Sequence, residues 1–161
     1  MFRSLALSGA VLLAATGHAF AQSAAPEPAT PAPGAYDAAL AHSVGADEHG
    51  MRRYVLVILR SGPEPVQAGA QREEMFRGHF ANMERLSREG KLVLAGPLGR
   101  EGGARGMFVL AVPDIGQARE LVATDPVVIQ GEMVAEYHTY YGSAALMLIP
   151  GLHEKVAKKA L

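Results

Sequence analysis

Two side chains, His79 and Asp125, offer the chain its best opening for acid–base chemistry. Imidazole is the group whose ordinary titration lies nearest neutral pH, and a carboxylate on one ring nitrogen leaves the other to move a substrate proton. His79 falls in the series Met75, Phe76, His79, Phe80, Met83 and Leu86, spaced by threes and fours, so it rides the apolar stripe of a helix. Asp125 precedes Pro126 and is placed to cap a short helix turn. One carboxylate oxygen can cap while the other holds an imidazole, so the two roles are compatible. The plainer reading is a core histidine bonded to a backbone carbonyl, and spacing alone favours it.

Further candidates lie on the strands. Arg60 ends the first strand, where it meets either solvent or an anionic substrate. In the last strand Glu136, His138 and Tyr140 share one face, and Tyr137, Thr139 and Tyr141 share the other. One set is expected to line a cleft and stack on an aromatic ligand; the alternative is ordinary packing at a subunit edge. Residues 99–106 are glycine-rich and carry Arg100 and Arg105, which reads as an anion cradle or, more plainly, as a hairpin connection.

The elements that position these residues follow from hydrophobic period. Residues 54–59 are a strand that is apolar on both faces, stopped by Gly62, Pro63 and Pro65. A helix over residues 71–89 ends at Gly90, and a second strand over 92–95 closes at Gly96 and Pro97. A third strand over 107–112 is followed by a helix capped by Asp114, with Ile115, Ala118, Leu121 and Val122 inward. A helical turn over 127–130 leads through Gly131 into a last strand over 133–141. The order is β-α-β-β-α-β, a ferredoxin-like α+β sandwich on a four-stranded antiparallel sheet. Two helices cover one face of such a sheet. The other face is also apolar, which predicts a homodimer packed face to face into an α+β barrel; a monomer in sedimentation at micromolar concentration would overturn that expectation.

The rest of the 161 residues bounds the class. A formal net charge of −1 nominates neither nucleic acid nor anionic membrane as a partner. The absence of cysteine removes disulfides, thiol nucleophiles and thiolate metal sites, and no two histidines have helical ligand spacing. No cofactor or metal is expected. Residues 1–21 have the plan of a secretory signal peptide, with Arg3, an apolar run and Ala19-Phe20-Ala21, so the chain is expected in the periplasm or outside the cell, with no integral membrane segment after cleavage. Residues 22–50 read as an Ala/Pro-rich tether, 51–143 as the domain, and 144–161 as a tail with an amphipathic end.

Residues 51–142 resemble the YCII-related family of small dimeric α+β barrel proteins. The resemblance rests on the first strand, His79 in the first helix, Gly90 through Pro97, the hairpin leading to Phe108, Thr124-Asp125-Pro126, and Gly131 before the last strand. It implies a ferredoxin-like subunit in a homodimer, with His79 and Asp125 as an acid–base pair in a cleft. A related enzyme type removes chloride from a chlorinated hydroxyquinol, and muconolactone isomerases share the general fold. Gly96 and Pro97, inside the matching motif, join Arg60, Tyr137, His138 and Tyr140 as substrate-binding candidates. Two functions remain in play. One is a cofactor-free lyase-, isomerase- or dehydrochlorinase-like enzyme acting on a small cyclic or aromatic compound. The other is a non-catalytic, exported dimeric module that binds a small ligand or a partner.

Overall fold

The structure is a computed structural model, which describes residues 34–99 and 101–159. The expected signal peptide, residues 22–33 of the expected tether, Arg100 and residues 160–161 lie outside the described residues. Strands β1 (Met51–Ser61), β2 (Leu92–Pro97), β3 (Ala104–Leu110) and β4 (Met133–Ser143) form one sheet in the order β2-β3-β1-β4, and every neighbouring pair is antiparallel. With helix α1 at Ala38–Ser43, the crossover helices are α2 (Ala70–Arg88) and α3 (Ile115–Val122), followed by the short α4 (Pro126–Ile129). This is the ferredoxin-like topology, because each crossover skips one strand.

Alternation along β1 builds the two sides of the sheet. Val55, Val57 and Leu59 face the helices and are buried with Met75, Leu86, Phe108, Val122 and Val127. Helix α2 stops in a Schellman motif: Lys91 donates to the Leu86 carbonyl at 2.8 Å and Gly90 to Ser87 at 2.9 Å, with Gly90 at φ 67°. The β3 strand begins earlier and ends sooner than its apolar run suggested. Ala111 leaves β1 and donates to Lys91 at 2.8 Å, so Val112 is buried beyond the strand.

Three expectations change. In the α2 stripe, Phe80 is 45% exposed while Asn82 is buried. The opposite face of the sheet is not wholly open. A 3-10 turn at Ala144–Leu148, continuing into α5 (Ile149–Val156), lays Leu146 and Met147 against Tyr54, Val93 and Val109. The tail thus covers part of the apolar surface, leaving Val134 and Tyr140 exposed on that face. Residues 37–50, expected within the tether, form α1 and a turn tied to the sheet. Asp37 caps the helix, Arg52 donates to the Val44 carbonyl at 2.8 Å, and Asp47 accepts from the Met51 amide at 2.9 Å and from the Tyr141 hydroxyl. Among the described residues no helix is long and apolar enough to cross a membrane.

Candidate active site

His79 and Asp125 come from elements far apart in sequence. Helix α3 ends at Val122, and the chain tightens through Asp125, whose amide donates to the Val122 carbonyl at 3.0 Å. Asp125 then caps α4, its Oδ1 accepting from the Val127 amide at 3.1 Å, with Pro126 at the first helical position where no donor is needed. The cap fixes the carboxylate and aims it at α2. His79 Nδ1 lies 2.9 Å from Oδ1 and 2.8 Å from Oδ2. Asp125 is fully buried and His79 is 8% exposed.

Close approach of the two helices depends on Gly78. A Cβ there would sit 2.9 Å from Cγ of Pro126, a ring that cannot swing aside. A second tie lies one turn on. Arg85 donates to Asn82 Oδ1 at 2.8 Å and to the Thr124 hydroxyl at 3.1 Å, and that hydroxyl donates to the Leu121 carbonyl at 2.6 Å. Asn82 keeps the rhythm Met75, His79, Asn82, Leu86 on the buried side of α2.

Three rings hold the imidazole. Phe108 stacks on it at 6.1 Å between centroids, Phe76 meets it edge-on at 6.0 Å, and Phe80 is tilted at 5.4 Å. Nε2 has no hydrogen-bond partner among the described residues and is not among the sealed polar atoms, so it is the ring position left for a proton. A carboxylate on Nδ1 selects the tautomer with its proton there, which leaves the Nε2 lone pair outward when the ring is neutral. Phe80, the most exposed of the three rings, stands at the edge of this arrangement.

The substrate-binding candidates are divided by the sheet. Tyr137 lies on the helix-covered side, packed against the core, with the Arg119 guanidinium 4.4 Å from its ring; burial pushes its hydroxyl pKa up. Arg60, His138 and Tyr140 lie on the opposite side, so they do not meet His79 within the chain. Arg60 is engaged: it donates to Glu136 at 2.7 Å and to the Gly102 carbonyl at 2.8 Å. That hydrogen bond, with the guanidinium charge, holds the Glu136 carboxyl below its ordinary value. The other Glu136 oxygen is 3.0 Å from His138 Nε2. Gly96 and Pro97 end β2 opposite Met107 and Gly106. The cradle read around Arg105 is replaced by an ion pair, since Arg105 points to Glu132 at 3.4 Å.

Glu132 carries no periodic signal and escapes the sequence reading. It is 3% exposed, accepts from the Val66 amide at 2.8 Å and pairs with Arg72 at 2.8 Å. Burial alone would raise this carboxyl, but the Val66 amide and the Arg72 and Arg105 guanidiniums outweigh it and bring the group below the ordinary glutamate value of 4.5. Arg72 also lies 4.9 Å over the Phe76 ring, which connects this cluster to the wall of the His79 site. The concavity lined by Arg52, Arg53 and Tyr140 and the one lined by Glu64, Val66 and Gln130 do not include His79 or Asp125.

No family model and no curated protein matches the chain. Among solved structures it is similar to a 5-chloro-2-hydroxyhydroquinone dehydrochlorinase from Burkholderia phenoliruptrix AC1100, in complex with 2,5-dihydroxybenzoquinone. The identity is 16%, the match covers 53% of this chain and 90% of that chain, and the TM-score is 0.36.

Proposed function

We propose that the chain is an exported, YCII-related homodimeric enzyme that needs no cofactor and performs acid–base chemistry on a small cyclic or aromatic compound. The observation that carries this reading is the buried His79–Asp125 contact at 2.8 Å, with Asp125 pinned by its own cap and Nε2 unpartnered. Asp125 orients the ring and stabilises the imidazolium formed when Nε2 takes a proton; the same nitrogen returns it to a leaving group or a neighbouring carbon. The exposed edge of Phe80 gives a flat substrate an apolar approach.

The close packing of phenylalanines around His79 favours a second reading, a ligand-binding module without turnover. The variant His79→Asn separates the two, because its amide nitrogen can keep the bond to Asp125 while Nε2 is lost. A panel of small hydroxylated aromatics and cyclic enols is screened by thermal shift, and hits are followed for turnover. The enzyme reading expects His79→Asn to bind a hit but lose turnover by about 10²-fold or more, the contribution typical of a general base. Equal turnover in wild type and variant would end that reading.

A further inference from the structure

The buried side of α2 carries one amide, Asn82, between His79 and Leu86. Asn82 is 9% exposed, and its Nδ2 is sealed from solvent with no hydrogen-bond partner among the described residues. A buried donor without a partner destabilises a fold, and an apolar side chain of similar size would carry no such cost. The other end of the amide is where it is used. Arg85 has only donors to give, so Asn82 presents Oδ1 to it at 2.8 Å, and the same oxygen lies 3.1 Å from the Thr124 hydroxyl. Arg85 also donates to Thr124 at 3.1 Å and is held in turn by Glu89 at 2.9 Å. The Thr124 hydroxyl closes the cluster on the Leu121 carbonyl at 2.6 Å.

This cluster is placed to act on the neighbouring pair. Along α2 the order is Gly78, His79, Asn82, Arg85, and along the facing turn it is Pro126, Asp125, Thr124. The contact between His79 and Asp125 is therefore flanked twice. On one side Pro126 closes on Gly78, which has no Cβ to keep it away; on the other Asn82 and Arg85 fasten Thr124. The bond from the Val127 amide, at 3.1 Å, ties the Asp125 carboxylate only to its own turn. Where that carboxylate meets Nδ1 is thus set by where the whole turn rests on α2. All of these groups lie on the helix side of the sheet, away from the face expected to pack in the homodimer.

We infer that Asn82 and Thr124 are positioning residues for His79 and Asp125: they hold the 124–126 turn in register with α2, so that the carboxylate stays on Nδ1 and the neutral ring keeps its Nε2 lone pair for a substrate. The inference rests on the acid–base reading of that pair. Nitrogen NMR of the full chain reads the ratio of the two tautomers of neutral His79, and urea denaturation reads stability in the same variants. Asn82→Leu removes the sealed donor, while Arg85 and Thr124 are both within reach of water. It should keep the wild-type urea midpoint and yet raise the ratio of Nε2-protonated to Nδ1-protonated ring about fivefold, the factor carried by one weakened hydrogen bond. Thr124→Val should move the ratio the same way, and Thr124→Ser, which keeps the hydroxyl, should return it to wild type. A wild-type ratio in both Asn82→Leu and Thr124→Val, an equal shift in Thr124→Ser and Thr124→Val, or a shift that comes only with a lowered midpoint would overturn the positioning role alone. A wild-type ring whose neutral form carries its proton on Nε2 would remove the acid–base reading, and this inference with it.

Discussion

Asp125→Ala is expected to cost about 2–4 kcal/mol of folding stability, among the largest losses available to a single polar substitution here. Two terms add. The α4 turn loses its cap at Val127, worth about 1 kcal/mol, and His79 Nδ1 is left without a partner in a buried place, worth about 1–3 kcal/mol. Asp125→Asn separates them. Its amide oxygen can still accept from Val127, so the cap term is kept, and its NH2 group can satisfy Nδ1 only if the imidazole moves its proton to Nε2. Urea denaturation should place Asp125→Asn within about 1 kcal/mol of wild type and Asp125→Ala far below it. Identical losses in the two variants would mean that the contact with His79, rather than the cap, dominates.

Glu132→Ala is the second large effect, about 2–3 kcal/mol. Removing one partner of a fully buried ion pair costs about 3–5 kcal/mol, but Arg72 and Arg105 keep 29% and 20% of their side chains exposed, so water softens the loss. The Val66 amide also loses its acceptor. Because the folded carboxyl titrates below the ordinary value of 4.5, its stabilisation is complete above that value and disappears as pH falls through the lower, folded one. Denaturation midpoints of wild type and Glu132→Gln should therefore differ at neutral pH and converge in acid. A gap that stays constant from neutral pH to pH 3 would show that the carboxylate charge is not what stabilises the cluster.

The frame of the fold was legible because period-two and period-3.6 patterns survive in β1, α2, α3 and β4, and because Gly90, Asp114 and Pro126 mark ends that backbone chemistry demands. The pairing of His79 with Asp125 was suggested by a motif and is carried by physics the sequence displays locally: a helix stripe on one side and a cap on the other. What escaped is non-local. Nothing near Glu132 announces that Arg72 and Arg105, from different elements, will converge on it. Apolar periodicity could not tell that Phe80 would face water while Asn82 went inside, since that depends on the Thr124 turn docking against α2. The docking of residues 37–50 was hidden for a similar reason. It rests on Asp47 and Tyr141, residues 94 positions apart, rather than on any apolar stripe.

The central claim is that Asp125 holds Nδ1 of His79 and leaves Nε2 free to take a proton. Nitrogen NMR of the His79 ring across a pH titration reads this directly. In the neutral ring the proton is expected on Nδ1 with Nε2 unprotonated, reversed in Asp125→Asn. A wild-type ring that carries its proton on Nε2 when neutral would contradict it.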